Sequence, residues 1–222
     1  MAESRNVADS RDTGFRITSI ITALEEKYPE APLALQFNNG FELLIAVILS
    51  AQCTDARVNQ VTRGLFKKYR APGDYLKVPS DHLELELKPT GFYRNKTKSV
   101  LACCRMLDED FGGEIPQDID KLVRLPGVGR KTAAMVLGNA YGLHQGIAVD
   151  THVGRVAQRV QLSDAKTAEK IEQDLMHLVP RGKWTWFSNS LILHGRETCV
   201  ARKPKCMDCV IEKWCLYPEK SS

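Results

Sequence analysis

Apolar residues recur at helical spacing along most of the chain. From Phe15 to Tyr28 the residues Phe15, Ile17, Ile20, Ile21, Leu24 and Tyr28 fall one to four positions apart, a pattern that predicts an amphipathic helix closed by Pro29. Phe41–Leu49 is almost continuously apolar, and its polar continuation over Ser50–Lys67 predicts a buried helix followed by a second one, with Ser50–Thr54 at the junction. Further helical patterns cover Pro79–Leu87, Lys96–Phe111, Ile119–Arg124, Lys131–Tyr141, Thr151–Val160, Ala165–Leu178 and Trp184–His194. Turn-forming residues separate them at Pro89–Gly91, Gly112–Pro116, Pro126–Gly129 and Gly142–Gly146. Alternating strand patterns with hairpin turns are scarce and no long internal repeat stands out. The expected fold class is all-α, built from about ten short helices.

The first 14 residues, MAESRNVADSRDTG, mix charges with small polar groups and offer little to bury, so a disordered tail is expected there. At 222 residues the chain can form one domain or two small ones, and without a long Pro- or Ser-rich linker two domains would pack closely. Its 31 basic and 27 acidic residues leave a net charge of +4, too little by itself to point to a nucleic acid. No apolar run approaches the roughly 20 residues that span a bilayer, and the N-terminus lacks the apolar core of a secretory signal. A soluble intracellular protein with no membrane partner is expected.

Two segments carry candidate chemistry. In Leu125-Pro126-Gly127-Val128-Gly129-Arg130-Lys131-Thr132-Ala133, two glycines lie between helical patterns, both free to take positive φ, and the second pattern opens at Lys131. Outward-pointing amides at such a helix start would seat a phosphate without reading base sequence. A ligand-free helix turn is the plainer reading of Gly-Val-Gly alone. A lysine near a helix N-terminus and partly removed from water has its charged form disfavoured, and the neutral amine is a nucleophile. About twenty positions later, Ile147-Ala148-Val149-Asp150-Thr151-His152-Val153 sets an acid before a helical pattern, which by itself marks Asp150 as an N-cap.

Seven cysteines are present, and Cys199, Cys206, Cys209 and Cys215 form C-x6-C-x2-C-x5-C. An odd count crowded at one end favours metal binding over a disulfide framework. Four thiolates suit either zinc or an iron–sulfur cluster. Few apolar residues lie between Thr198 and Tyr217, so this tail needs a cross-link to hold its shape. Arg202, Lys203 and Lys205 make the loop between the first two cysteines basic, which suits phosphate contact. Cys53, Cys103 and Cys104 have no ligand spacing and read as small core residues.

The string LPGVGRKTA, the VDTH that follows it and the cysteine spacing together resemble the endonuclease III family of helix-hairpin-helix DNA glycosylase/AP lyases, over about Phe15 to Tyr217. The resemblance implies a six-helix barrel domain at residues 33–143 containing the hairpin, and an iron–sulfur cluster domain from residues 15–32 and 144–222, with Lys131 facing Asp150 across a cleft. It implies a [4Fe-4S] cluster on the four cysteines, Lys131 as nucleophile, Asp150 as its electrostatic partner, and phosphate contact through Gly127 and Gly129. Gln52 matches the family's gap-filling glutamine, and Phe92, in PTGFYRNK, stands at a second wedge where leucine is common. Asp55 and His152 match positions near the damaged base. The implied partner is double-stranded DNA containing damaged pyrimidines or abasic sites, met by a monomer in the cytoplasm, at the nucleoid of a bacterium.

Plainer readings stand beside these. Gln52 can be an ordinary polar residue at a helix junction, Phe92 a turn aromatic packed on its own helix, and His152 a capping or packed residue. Arg94, Lys96 and Lys98 read as a solvated charged face. Monofunctional adenine glycosylases share the hairpin and cluster but usually lack the lysine. A non-catalytic DNA-binding protein or a zinc-stabilised helical module would keep the scaffold without the reaction.

Overall fold

The computed structural model describes residues 3–221, with side chains over 13–221. Eleven α-helices run in the order α1 Glu3–Lys27, α2 Gly40–Ser50, α3 Asp55–Lys68, α4 Pro72–Leu76, α5 Ser80–Leu87, α6 Tyr93–Phe111, α7 Ile119–Leu122, α8 Arg130–Tyr141, α9 Thr151–Val160, α10 Ala168–Leu178 and α11 Trp184–Glu197. Four 3₁₀ turns complete the regular structure, and no strand occurs among the described residues. The fold is all-α, as the hydrophobic periods predict. It differs at the start: α1 begins at Glu3, running through the stretch whose composition suggests a tail. No proline interrupts residues 3–27, so a helix anchored by its buried C-terminal half propagates backwards without a breaker. Met1 and Ala2, the first residues of that stretch, lie outside the described residues.

The chain divides into two compact units, one of residues 33–145 and one joining residues 1–32 to 146–222. In the first, α2 is buried from Gly40 to Leu49 and packs against α3, α6 and α8. An apolar helix buried on all sides has only its ends left for polar chemistry. Asn39 caps its start by accepting from the Glu42 amide at 2.9 Å, and Glu42 in turn accepts from the Asn38 amide at 2.7 Å. Where α2 meets the end of α8, Gly40 is required by space: a Cβ there would lie 2.5 Å from two carbons of the Tyr141 ring. Gly40→Ala is expected to lower stability by about 1–3 kcal/mol, the usual cost of overpacking. Urea unfolding would check it, and the penalty should vanish in a Tyr141→Ala background; an equal penalty in both backgrounds would refute the steric account.

In the second unit α11 packs along α9, and α10 also packs on α9. Ile20 and Leu24 of α1 are fully buried. The helix is held at both ends of its packed half. Arg16 donates to the carbonyls of Val160 at 2.7 Å and Gln161 at 2.8 Å, and Lys27 donates to the Thr198 hydroxyl at 2.9 Å. No described helix is long and apolar enough to cross a membrane.

Candidate active site and cluster pocket

The hairpin is built from α7, the turn 123–129 and α8. Leu125 and Val128 are buried and anchor the turn, and the Val128 amide donates to the Leu125 carbonyl at 3.0 Å. Gly127 has φ +80°, and a Cβ there would also approach Ser99 Cβ to 3.1 Å, so glycine is needed twice over. Gly129 does not share that role, contrary to the sequence expectation: with φ −91° and ψ 173° it lies in the ordinary extended region. It serves instead as the N-cap of α8, and no side chain caps that helix. The first amides of α8 thus start at a bare, exposed backbone, which suits a phosphate oxygen.

Lys131 is the second residue of α8 and is exposed in the protein alone. The partial removal from water that the sequence reading assumes is therefore absent without DNA. Asp150 caps α9, its Oδ1 accepting from the amides of both His152 and Val153 at 2.8 Å. One carboxylate oxygen does the capping, and Oδ2 takes no part in it. Gly127, Gly129 and Lys131 belong to the unit of residues 33–145, and Asp150 and His152 to the other.

His152 is half-buried on α9, and an arginine absent from the sequence reading fixes its proton. Arg155 Nη2 lies 3.1 Å from His152 Nδ1 and donates to the Gly195 carbonyl at 2.8 Å, while Nε donates to the Cys199 carbonyl at 3.1 Å. A guanidinium only donates, so Nδ1 accepts and the imidazole proton sits on Nε2. Gly195 permits this approach, since a Cβ there would come within 3.0 Å of His152 Cβ. Asp55 opens α3 beside its N-cap Thr54 and is half-buried.

Gln52 and Phe92 share a feature that sequence cannot show: both have left-handed backbone, with φ of 52° and 48°. The Cys53 amide donates to the Ser50 carbonyl at 3.1 Å, closing a turn in which Gln52 occupies the place glycine usually takes. Phe92 is the N-cap of α6 and is 63% exposed. An L-residue with such φ costs roughly 1–3 kcal/mol, and both turns raise their strained side chain to the surface. Lys96, expected on a solvated face, is 5% exposed and donates to the Thr90 carbonyl at 2.7 Å. Arg94 and Lys98 remain exposed.

The four C-terminal cysteines carry no disulfide and line one pocket, together with His194 and Ile211 among others. Among the described residues no three His, Cys, Asp or Glu side chains are gathered to hold a single metal ion. Burial raises the Cys209 thiol to about 11 and also raises Cys215, so thiolates there need a cationic centre to offset the lost hydration. His194 is held near 4 by burial, with Lys27 adding to the effect, so its ring is neutral. Its Nε2 lies 3.5 Å from Cys209 Sγ, and its buried Nδ1 has no partner. Arg159 Nη1 donates to Cys199 Sγ at 3.5 Å and to the Val200 carbonyl at 2.7 Å, while Nη2 reaches the Ala201 carbonyl at 2.8 Å. A sulfur-lined pocket with a neutral imidazole and a guanidinium at the sulfurs fits an anionic iron–sulfur centre. Arg159 also braces the loop that presents Arg202 and Lys203, both exposed, with Lys203 at φ 52°. Of the remaining cysteines, Cys103 and Cys104 are fully buried, whereas Cys53 is only half-buried because it follows the exposed Gln52 turn.

Comparison with known proteins bears on this arrangement. A family model described as HhH-GPD superfamily base excision DNA repair protein matches residues 45–181. A second, the iron-sulfur binding domain of endonuclease III, matches residues 199–215. The chain is 46% identical over 208 residues to endonuclease III of Synechocystis sp., across 93% of this chain and 94% of that protein. Among solved structures, a non-covalent endonuclease III–DNA complex gives a TM-score of 0.87 at 42% identity, covering 92% of this chain and 95% of that one. A trapped endonuclease III–DNA covalent intermediate, described as an estranged-adenine complex, gives 0.87 at 42% identity, covering 92% and 96%.

Proposed function

Because the chain belongs to the endonuclease III family of helix-hairpin-helix base-excision repair proteins, we propose that it removes oxidised pyrimidines from double-stranded DNA and then nicks the strand. It is a bifunctional DNA glycosylase and abasic-site lyase. The observation that carries the reading is Lys131, exposed as the second residue of the helix that opens at the bare Gly129. A phosphate seated on the first amides of α8, with Gly127 shaping the turn, would hold the backbone of a flipped nucleotide within reach of that amine.

In this mechanism the bound DNA excludes water from the Lys131 amine and favours its neutral form. The amine lone pair forms a bond to C1′ as the bond to the base breaks, and the base leaves with the bonding electrons and takes up a proton. Asp150 Oδ2 offsets the positive charge that grows on the sugar. Ring opening gives a Schiff base between Lys131 and C1′; loss of a C2′ proton then expels the 3′ phosphate, and hydrolysis frees the lysine. Gln52 and Phe92 fill the space left by the extruded nucleotide. His152 offers Nε2–H and Asp55 a carboxylate to the lesion, and Arg202 and Lys203 meet phosphates. The protein acts as a monomer on abasic sites as well as damaged bases, in the cytoplasm.

The cofactor is a [4Fe-4S] cluster, for which Cys199, Cys206, Cys209 and Cys215 are the ligands in this reading. Bound there, it cross-links residues 199–217 and fixes the basic loop. Cys209→Ser is expected to lose the brown colour and most of the iron, roughly four atoms per chain, and to expose the C-terminal segment to protease. Full iron content in that variant would remove Cys209 from the ligand set.

The test of the activity is a duplex carrying one oxidised pyrimidine, such as thymine glycol. Release of the base with a strand break of β-elimination type is expected. Base release on an intact strand would make the enzyme monofunctional; binding with neither event would leave a non-catalytic DNA-binding protein.

A further inference from the structure

The turn that presents Phe92 is unusual in its backbone and in what stands behind it. Gly91 has φ 69° and ψ 159°, a conformation open almost only to glycine, and Phe92 follows with φ 48° and ψ 26°. Two consecutive left-handed residues at a protein surface have many looser alternatives, so something must select this conformation. Lys96 binds on both sides of the pair. Its amide donates to the Phe92 carbonyl at 3.1 Å, and its ammonium donates to the Thr90 carbonyl at 2.7 Å. Thr90 is itself 2% exposed, and its hydroxyl donates to the Leu87 carbonyl at 2.8 Å. The 3₁₀ turn Lys88–Thr90 packs on α3, the helix that follows the Gln52 turn. A charged amine at 5% exposure is costly to bury. An apolar residue would fill the same place in the helix at lower cost, so the ammonium is retained for the bond it makes.

We propose that Lys96 is a positioning residue for DNA opening: by tying the Thr90 carbonyl from inside the protein, it holds the Gly91–Phe92 turn so that the phenyl ring stands ready to enter the duplex. Burial lowers the pKa of Lys96. Lys96 touches neither substrate nor reacting atoms, and the inference rests on the reading of Phe92 as a wedge.

The experiment places 2-aminopurine opposite thymine glycol, so that fluorescence rises when the opposite base is unstacked, and compares turnover on duplex and on single-stranded DNA with the same lesion. The holoenzyme is compared with Lys96→Met, Lys96→Arg, Gly91→Ala and Phe92→Ala, with iron content and thermal midpoint measured for each. Lys96→Met should lose most of the fluorescence rise and slow duplex turnover by about tenfold or more, while single-stranded turnover stays within about twofold. Lys96→Arg, which keeps a cationic donor, should restore part of the rise. Gly91→Ala releases the turn by another route and should reproduce the Lys96→Met pattern, which keeps the idea testable if Lys96→Met does not fold. An unchanged fluorescence rise in Lys96→Met, or equal slowing on both substrates, overturns the proposal. If Phe92→Ala alone leaves the rise intact, the wedge reading itself fails.

Discussion

Lys131→Gln is expected to abolish the covalent adduct that borohydride traps on a duplex containing an abasic site or thymine glycol, and to slow strand cleavage on the order of 10³-fold or more. The side chain stays polar and nearly as long but loses the amine and its lone pair, and no other lysine follows the hairpin glycines at the start of a helix. Folding should be unaffected, because Lys131 is exposed and precedes the buried Thr132–Gly138 segment of α8. DNA binding should also persist, since the amides of α8 that would seat the phosphate belong to the backbone. Persistent adduct in this variant would mean that another amine attacks, and the roles assigned around the hairpin would have to be redrawn.

A second substitution separates two duties of one carboxylate. Asp150→Asn keeps an amide oxygen where Oδ1 accepts from His152 and Val153, so α9 stays capped and stability should change by only a few tenths of a kcal/mol. It loses the negative charge, and base release should fall by about 10² to 10³-fold. Asp150→Ala should show the same kinetic loss together with about 1 kcal/mol of destabilisation, the usual value of a lost N-cap. Single-turnover base release and urea unfolding on both variants decide the matter. Equal destabilisation by Asn and Ala would show that the charge itself holds the helix, and full activity in the Asn variant would remove Asp150 from the chemistry.

Most helices were legible because each buries one face, and burial writes its period into the sequence. Continuous apolarity over Phe41–Leu49 is enough to place α2 inside a unit, and the motif strings single out Lys131 and Asp150 as candidates. Other features depended on information that pattern does not carry. The strain at Gln52 and Phe92 is a backbone property with no signature in either residue type. The different duties of Gly127 and Gly129 follow from their dihedral angles, although the two look alike in Gly-Val-Gly. Arg155 is anchored largely by carbonyls distant in sequence, at Gly195 and Cys199, which no local window joins to His152. Lys96 is the instructive miss, because a signal was present. It stands four, seven and eleven positions before Val100, Cys103 and Leu107, all fully buried, and so lies on the core face of α6. Its charge made it look like part of a solvated run with Arg94 and Lys98, whereas its phase in the helix placed it inside.

The unit assembled from both chain ends has a consequence for synthesis. Residues 33–145 are contiguous and can fold as soon as they leave the ribosome, but α1 emerges first and finds its carbonyl anchors only in Val160, Gln161 and the C-terminal turns. At roughly 5–20 residues per second, the apolar stripe of Ile17, Ile20, Ile21 and Leu24 waits on the order of ten seconds before its partners exist. During that interval the stripe is a binding site for chaperones and a seed for aggregation, so growth temperature and translation speed, rather than the stability of the finished enzyme, should govern how much active protein a cell obtains.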